Sequence, residues 1–155
     1  MGEPREEIGP EPESQGGEPV YRLEDQVGFV LRRAHQRATD TFNLVMAGFE
    51  ITPRQFAALS KLHDLGPTSQ NHLGRLVAMD PATTFGVAGR LRKRGLVRQS
   101  IDSHDARLVI LELTEDGRQI VEAMKARGVE VSRRTLEPLT AREAETFLRL
   151  LSKMV

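Results

Sequence analysis

Seven basic side chains fall between residues 68 and 107 (Arg75, Arg90, Arg92, Lys93, Arg94, Arg98 and Arg107), against three acidic ones, Asp80, Asp102 and Asp105. That is a net +4 in a chain of 155 residues whose 22 basic and 22 acidic groups cancel overall. Cations at this density suit the phosphates of a nucleic acid, and guanidinium can also fork onto guanine. Four of the seven lie on one helical run, opened by Asp80-Pro81 and closed near Arg94-Gly95. On that run Thr84, Val87, Ala88 and Leu91 share an inward face. Thr83, Gly86, Arg90 and Lys93 share another, with Phe85 at its border. Thr83 could meet a base edge or a thymine methyl, Gly86 would let the backbone approach closely, and Arg90 could grip phosphate or guanine.

Other chemistries find no such constellation. The chain has no cysteine, which excludes disulfides, thiol redox sensing, cysteine nucleophiles and Cys-type zinc sites. His35, His63, His72 and His104 are scattered, without the spacing of a metal site. No glycine-rich phosphate loop or nucleophile elbow is present, so neither an enzyme nor a cofactor is expected. No apolar run reaches the roughly 20 residues of a membrane helix, and no secretory leader is apparent, so the expected compartment is the cytoplasm.

The elements that must position the basic run follow from periodicity and punctuation. Residues 1–22 hold six Glu and two Arg among Pro and Gly, a net −4, and read as a disordered acidic tail. From Leu23 to Phe49 apolar residues recur at steps of three and four, the pattern of one long amphipathic helix. Thr52-Pro53-Arg54-Gln55 is a capping box with proline at the first helical position. A helix to about Leu65 follows. Thr68 or Ser69 then caps a short third helix through Leu73, Leu76 and Val77. After the basic helix, Leu96–Ile101 and Leu108–Leu113 read as strands around the polar turn 102–107, a β-hairpin. Thr114 and Thr140 cap two closing helices. The expected fold is mainly α with a small β-hairpin wing (α+β). In it, 52–113 form a winged helix-turn-helix lobe, while 23–49 and 115–155 form long helices outside it.

Three stretches carry a family resemblance: Gly89-Arg-Leu-Arg-Lys-Arg-Gly-Leu-Val97, Asp102-Ser-His-Asp-Ala-Arg107 and Leu111-Glu-Leu-Thr-Glu-Asp-Gly117. Together they resemble the MarR family of winged-helix regulators, over about residues 23–155. The resemblance implies a homodimer held by the first and last two helices. It also implies recognition of a pseudo-palindromic operator in double-stranded DNA, and release by a small anionic aromatic effector. The run Met79-Asp-Pro-Ala-Thr-Thr-Phe-Gly86 looks most like the branch that controls aromatic-acid breakdown, including hydroxycinnamate and benzoate pathways. There the effector can be a free acid or its coenzyme A thioester. One departure is visible: many members carry two arginines after the second wing aspartate, whereas here the first is Ala106.

The DNA-facing candidates are therefore Arg54, then Ser69, Gln70 and Asn71 at the start of the third helix. To these are added Pro81, Ala82, Thr83, Thr84, Phe85, Gly86, Arg90 and Lys93 on the fourth, and His104 and Arg107 on the wing. The effector candidates are Arg32, His35, Thr39, Phe42, Met46, Phe56 and Arg75, a mix of aromatic, thioether and cationic surface that suits an aromatic acid. Phe42, Met46 and Phe56 also read as plain core. The expected function is a dimeric repressor released by an aromatic acid or its thioester. The competing readings are a winged-helix module that binds protein and a DNA-binding protein without an effector.

Overall fold

The computed structural model describes residues 21–155, so the expected acidic tail lies, but for its last two residues, outside the described residues. A 3₁₀ turn, Leu23–Asp25, leads into α1 (Val27–Val45). The helix is shorter than its apolar periodicity predicts. It stops at Met46, and the chain turns through Gly48 at φ 94° and Glu50 at φ 54°. Phe49 and Ile51 still pack on the core from this turn, which is why the spacing of apolar residues outlasts the helix.

α2 (Pro53–Leu65) begins with the expected capping box: Gln55 N donates to Thr52 Oγ1, and the Gln55 side chain accepts from Thr52 N. α3 (Gln70–Leu76) has Ser69 at its N-cap position, but the Ser69 side chain makes no capping bond. The backbone of Thr68–Ser69 instead forms a short strand, β1, and the wing of β2 (Val97–Ile101) and β3 (Val109–Leu113) becomes a three-stranded antiparallel sheet in the order β1-β3-β2. Thr68 pairs with Leu111 and Val97 with Leu113. A two-residue strand is too short for alternation to show, so the sequence pattern announces only a hairpin.

α4 (Pro81–Lys93) starts at Asp80, whose carboxylate accepts from Thr83 N, and Gly95 follows its end at φ 72°. α5 (Glu115–Thr135) and α6 (Ala141–Leu151) are capped by Thr114 and Thr140 as expected. α2 is central: Leu59 and Leu62 pack with Leu73, Val87, Leu91, Leu111, Val121 and Met124 from the elements around it. This places the outer face of α4 and the wing on one lobe. α1 lies along α5, where Arg37 reaches the carbonyls of Arg134 and Thr135 at the end of α5.

α1 and α6 leave apolar surface uncovered. Val27 and Val30 on α1, and Leu148 and Leu150 on α6, are exposed. No residue of α6 is buried, although Phe147, Leu148 and Leu151 line a shared hollow with α1 and α5. No helix among the described residues is long and apolar enough to cross a membrane.

Candidate nucleic-acid interface and effector cavity

α4 turns its inward face, with Thr84, Val87, Ala88 and Leu91, onto α2 and α3. Thr84 is 2% exposed and its hydroxyl donates to the Asp80 carbonyl at 2.8 Å. Thr84 therefore leaves the DNA-facing set, because a side chain sealed in the core has no surface for a base. Thr83 is half-buried, and its hydroxyl donates to Asp80 Oδ2 at 2.6 Å. These bonds from Thr83, side chain first, hold the Asp80 carboxyl below its ordinary value.

Pro81, Ala82, Phe85, Arg90 and Lys93 are exposed on the same helix, with Gly86 half-buried among them. The guanidinium of Arg90, one turn on, folds back over Gly86, where an added Cβ would meet Nη1 at an ordinary contact distance of 3.6 Å. Asn71 at the start of α3 is exposed, and Ser69 and Gln70 beside it are half-buried.

The wing turn is built on its aspartates. Asp102 Oδ1 accepts from His104 N at 2.8 Å and from Asp105 N at 2.9 Å. Asp105 takes Arg107 in a two-pronged pair, Nε to Oδ1 and Nη2 to Oδ2, both at 2.9 Å. This side-chain bond lowers the Asp105 carboxyl and raises the Arg107 guanidinium. Arg107 remains 89% exposed at the side chain, so it is held in one direction yet open to a partner. The Asp-x-Arg spacing holds a signal for this pair that sequence reasoning passes over. Arg94 is passed over too; it donates to the carbonyls of Phe49 and Glu50 and so fixes the turn before α2.

The effector candidates separate. His35 and Thr39 line a cavity of about 420 Å³ between α1, α2 and α4, together with Asn43, Thr52, Pro53, Arg54, Val87 and Arg90. Asn43 continues the four-residue spacing of His35 and Thr39, which is the sequence signal that could have found it. Arg54 and Arg90, expected on DNA, reach this cavity; Arg90 does so from the outer part of α4. Among the described residues neither makes an ion pair, and no carboxylate lines the space.

Phe42 and Met46 are corrected to core residues, being buried in the main apolar cluster. Phe56 packs against that cluster with its ring 5.7 Å from that of Phe42. Arg32 lies over the Phe29 ring on an exposed part of α1, and Arg75 is exposed at the end of α3 beside His72; neither lines the cavity.

Known proteins are similar to this chain in sequence and fold. The MarR family model matches residues 51–109. The transcriptional repressor NicR of Pseudomonas putida is 40% identical over 135 residues, covering 87% of this chain and 85% of that protein. A probable transcriptional regulator from Pseudomonas aeruginosa superposes with a TM-score of 0.81 at 44% identity, over 86% of this chain and 100% of the other. BpsR of Bordetella bronchiseptica, whose DNA binding is regulated by 6-hydroxynicotinic acid, superposes with a TM-score of 0.82 at 36% identity, over 87% and 96%.

Proposed function

The chain belongs to the MarR family of transcriptional regulators, and we propose that it is a homodimeric repressor whose effector is a small aromatic carboxylate seated between α1, α2 and α4. One observation carries this reading. Arg54 and Arg90 converge with His35, Thr39 and Asn43 on a single cavity, and no acid among the described residues lines it to neutralise them. Two unpaired guanidiniums beside neutral hydrogen-bonding side chains suit a carboxylate and a ring substituent. A cavity of about 420 Å³ matches an aromatic acid such as 6-hydroxynicotinic acid, the regulator of BpsR, better than a whole coenzyme A thioester.

DNA would meet the outer face of α4, the start of α3, and a wing that offers His104 and Arg107. Phosphate contacts by Arg90, Lys93 and Arg107 would supply most of the affinity. The exposed apolar residues of α1 and α6 support a second copy as the dimer partner. Arg90 belongs to both sites. A carboxylate that binds the cavity better in a dimer geometry mismatched to the operator shifts the population away from DNA.

The test is fluorescence anisotropy on a duplex that the protein itself selects from a random library, titrated with 6-hydroxynicotinic acid, benzoic acid and an aromatic coenzyme A thioester. The free acids are expected to release the duplex. Arg54→Ala should bind DNA within about threefold of wild type. It should need at least on the order of tenfold more acid, since a charged hydrogen bond is worth about 1.5–3 kcal/mol. Release by the thioester alone, or an unchanged acid response in Arg54→Ala, contradicts the assignment.

A further inference from the structure

The outer face of α4 carries few groups at its start that could hydrogen-bond a base. Its first two turns present Pro81, Ala82, Phe85 and Gly86, and the hydroxyl nearby, on Thr83, spends its proton on Asp80 Oδ2. The Asp80 carboxylate in turn faces the helix through Thr83 N. Phe85 is the large side chain of these turns. It is 69% exposed and lies on the side of α4 away from the packed face of Thr84, Val87, Ala88 and Leu91. Its helix packs on α2, α3 and β2, whereas the uncovered apolar residues lie on α1 and α6, so a dimer built on those helices does not require Phe85. The cations that could carry DNA, Arg90 and Lys93, stand one to two turns further along the same helix and make no ion pair among the described residues.

In the major groove the thymine C5-methyl is the one alkyl group on the base-pair edges, and the other identifying groups there are donors or acceptors. A phenyl ring gains nothing against those polar groups and strips water from them, whereas against a methyl both surfaces leave water favourably.

We propose that Phe85 is a specificity-determining residue that reads a thymine methyl in each operator half-site, so that this helix recognises sequence through an apolar contact and uses its charges for phosphate. This rests on the DNA-binding reading above.

The experiment starts from the library-selected duplex and replaces its thymines one at a time with uracil, which removes only the methyl. Wild type, Phe85→Ala and Phe85→Leu are then titrated against each duplex. At one thymine and its symmetry mate, wild type should lose on the order of tenfold in affinity, the scale of a single lost base contact. Phe85→Ala should bind the unmodified duplex more weakly by a similar factor and be indifferent to uracil at that position. Phe85→Leu should keep part of the discrimination. The exposure of the ring means that none of these changes disturbs the core. If every thymine tolerates uracil in wild type, or if Phe85→Ala keeps the same methyl dependence, the inference is overturned. A wild-type protein that selects no sequence at all would instead overturn the DNA-binding reading.

Discussion

Gly117 occupies the tightest place among the described glycines. A Cβ there would sit 2.0 Å from the Leu96 carbonyl oxygen and 3.0 Å from its carbon, at the point where α5 leaves the wing. The approach is to backbone, which cannot swing away, and Thr114 N donates to the same carbonyl at 3.1 Å. Gly117→Ala should therefore destabilise the fold by about 3 kcal/mol or more, at or beyond the usual overpacking cost. Gly89 is the contrast, a helical glycine where an added Cβ would meet nothing within 4 Å. Gly89→Ala should stabilise by up to about 1 kcal/mol through helix propensity. Urea denaturation of both variants checks the pair, and equal effects would contradict the packing. The Leu-Thr-x-x-Gly junction is legible in the sequence as a signature. The backbone approach that explains its glycine is not, because it joins residues 21 positions apart.

At the scale of elements, the ends of helices are the most legible feature and the insides of connections the least. Thr52-Pro53, Asp80-Pro81, Thr114 and Thr140-Glu143 all announce the helices they cap, since capping is chemistry between near neighbours. The two-residue strand β1 and the early end of α1 go unannounced, because both depend on distant partners: β3 for one, and the Arg94-held turn for the other. The cavity proposed for an effector is half legible. His35 and Thr39 stand out as polar positions beside an apolar stripe, but only the crossing of α1, α2 and α4 brings Arg54 and Arg90 to them.

One element also carries an acid-sensitive contact. Near the end of α5, hydrogen bonds from Arg133 and then Arg134 hold the Glu130 carboxyl at about 2, against an ordinary 4.5. A depressed carboxyl stabilises the folded state fully above its unfolded value. Its contribution is therefore present above pH 4.5 and fades as pH falls towards 2. Glu130→Gln should flatten the pH dependence of thermal stability across that window and leave the curve near neutral pH parallel to wild type. An unchanged acid limb would contradict the pairing. The Glu130 side chain is half-buried and its ion pairs remain open to water, so the effect on the melting temperature is expected to be small.

For the molecule as a whole, a net charge of zero hides an uneven distribution. Residues 1–22 carry −4 and residues 68–107 carry +4. The fold gathers most of the second group on α4 and the wing, with Arg94 and Arg98 spent on internal partners, the turn carbonyls and Glu112. Bulk composition therefore argues against a polyanionic partner while local geometry argues for one, and a binding measurement decides between them. The most direct is anisotropy of the library-selected duplex and of a scrambled duplex of equal length, each titrated with the protein over a series of salt concentrations. Selective binding is expected, with the logarithm of affinity falling linearly with that of salt. If two protomers together make some six to ten phosphate contacts, the loss between about 50 and 200 mM is on the order of a thousandfold or more. Equal affinity for the scrambled duplex, or binding indifferent to salt, would contradict the reading of α4 and the wing as an operator-binding surface.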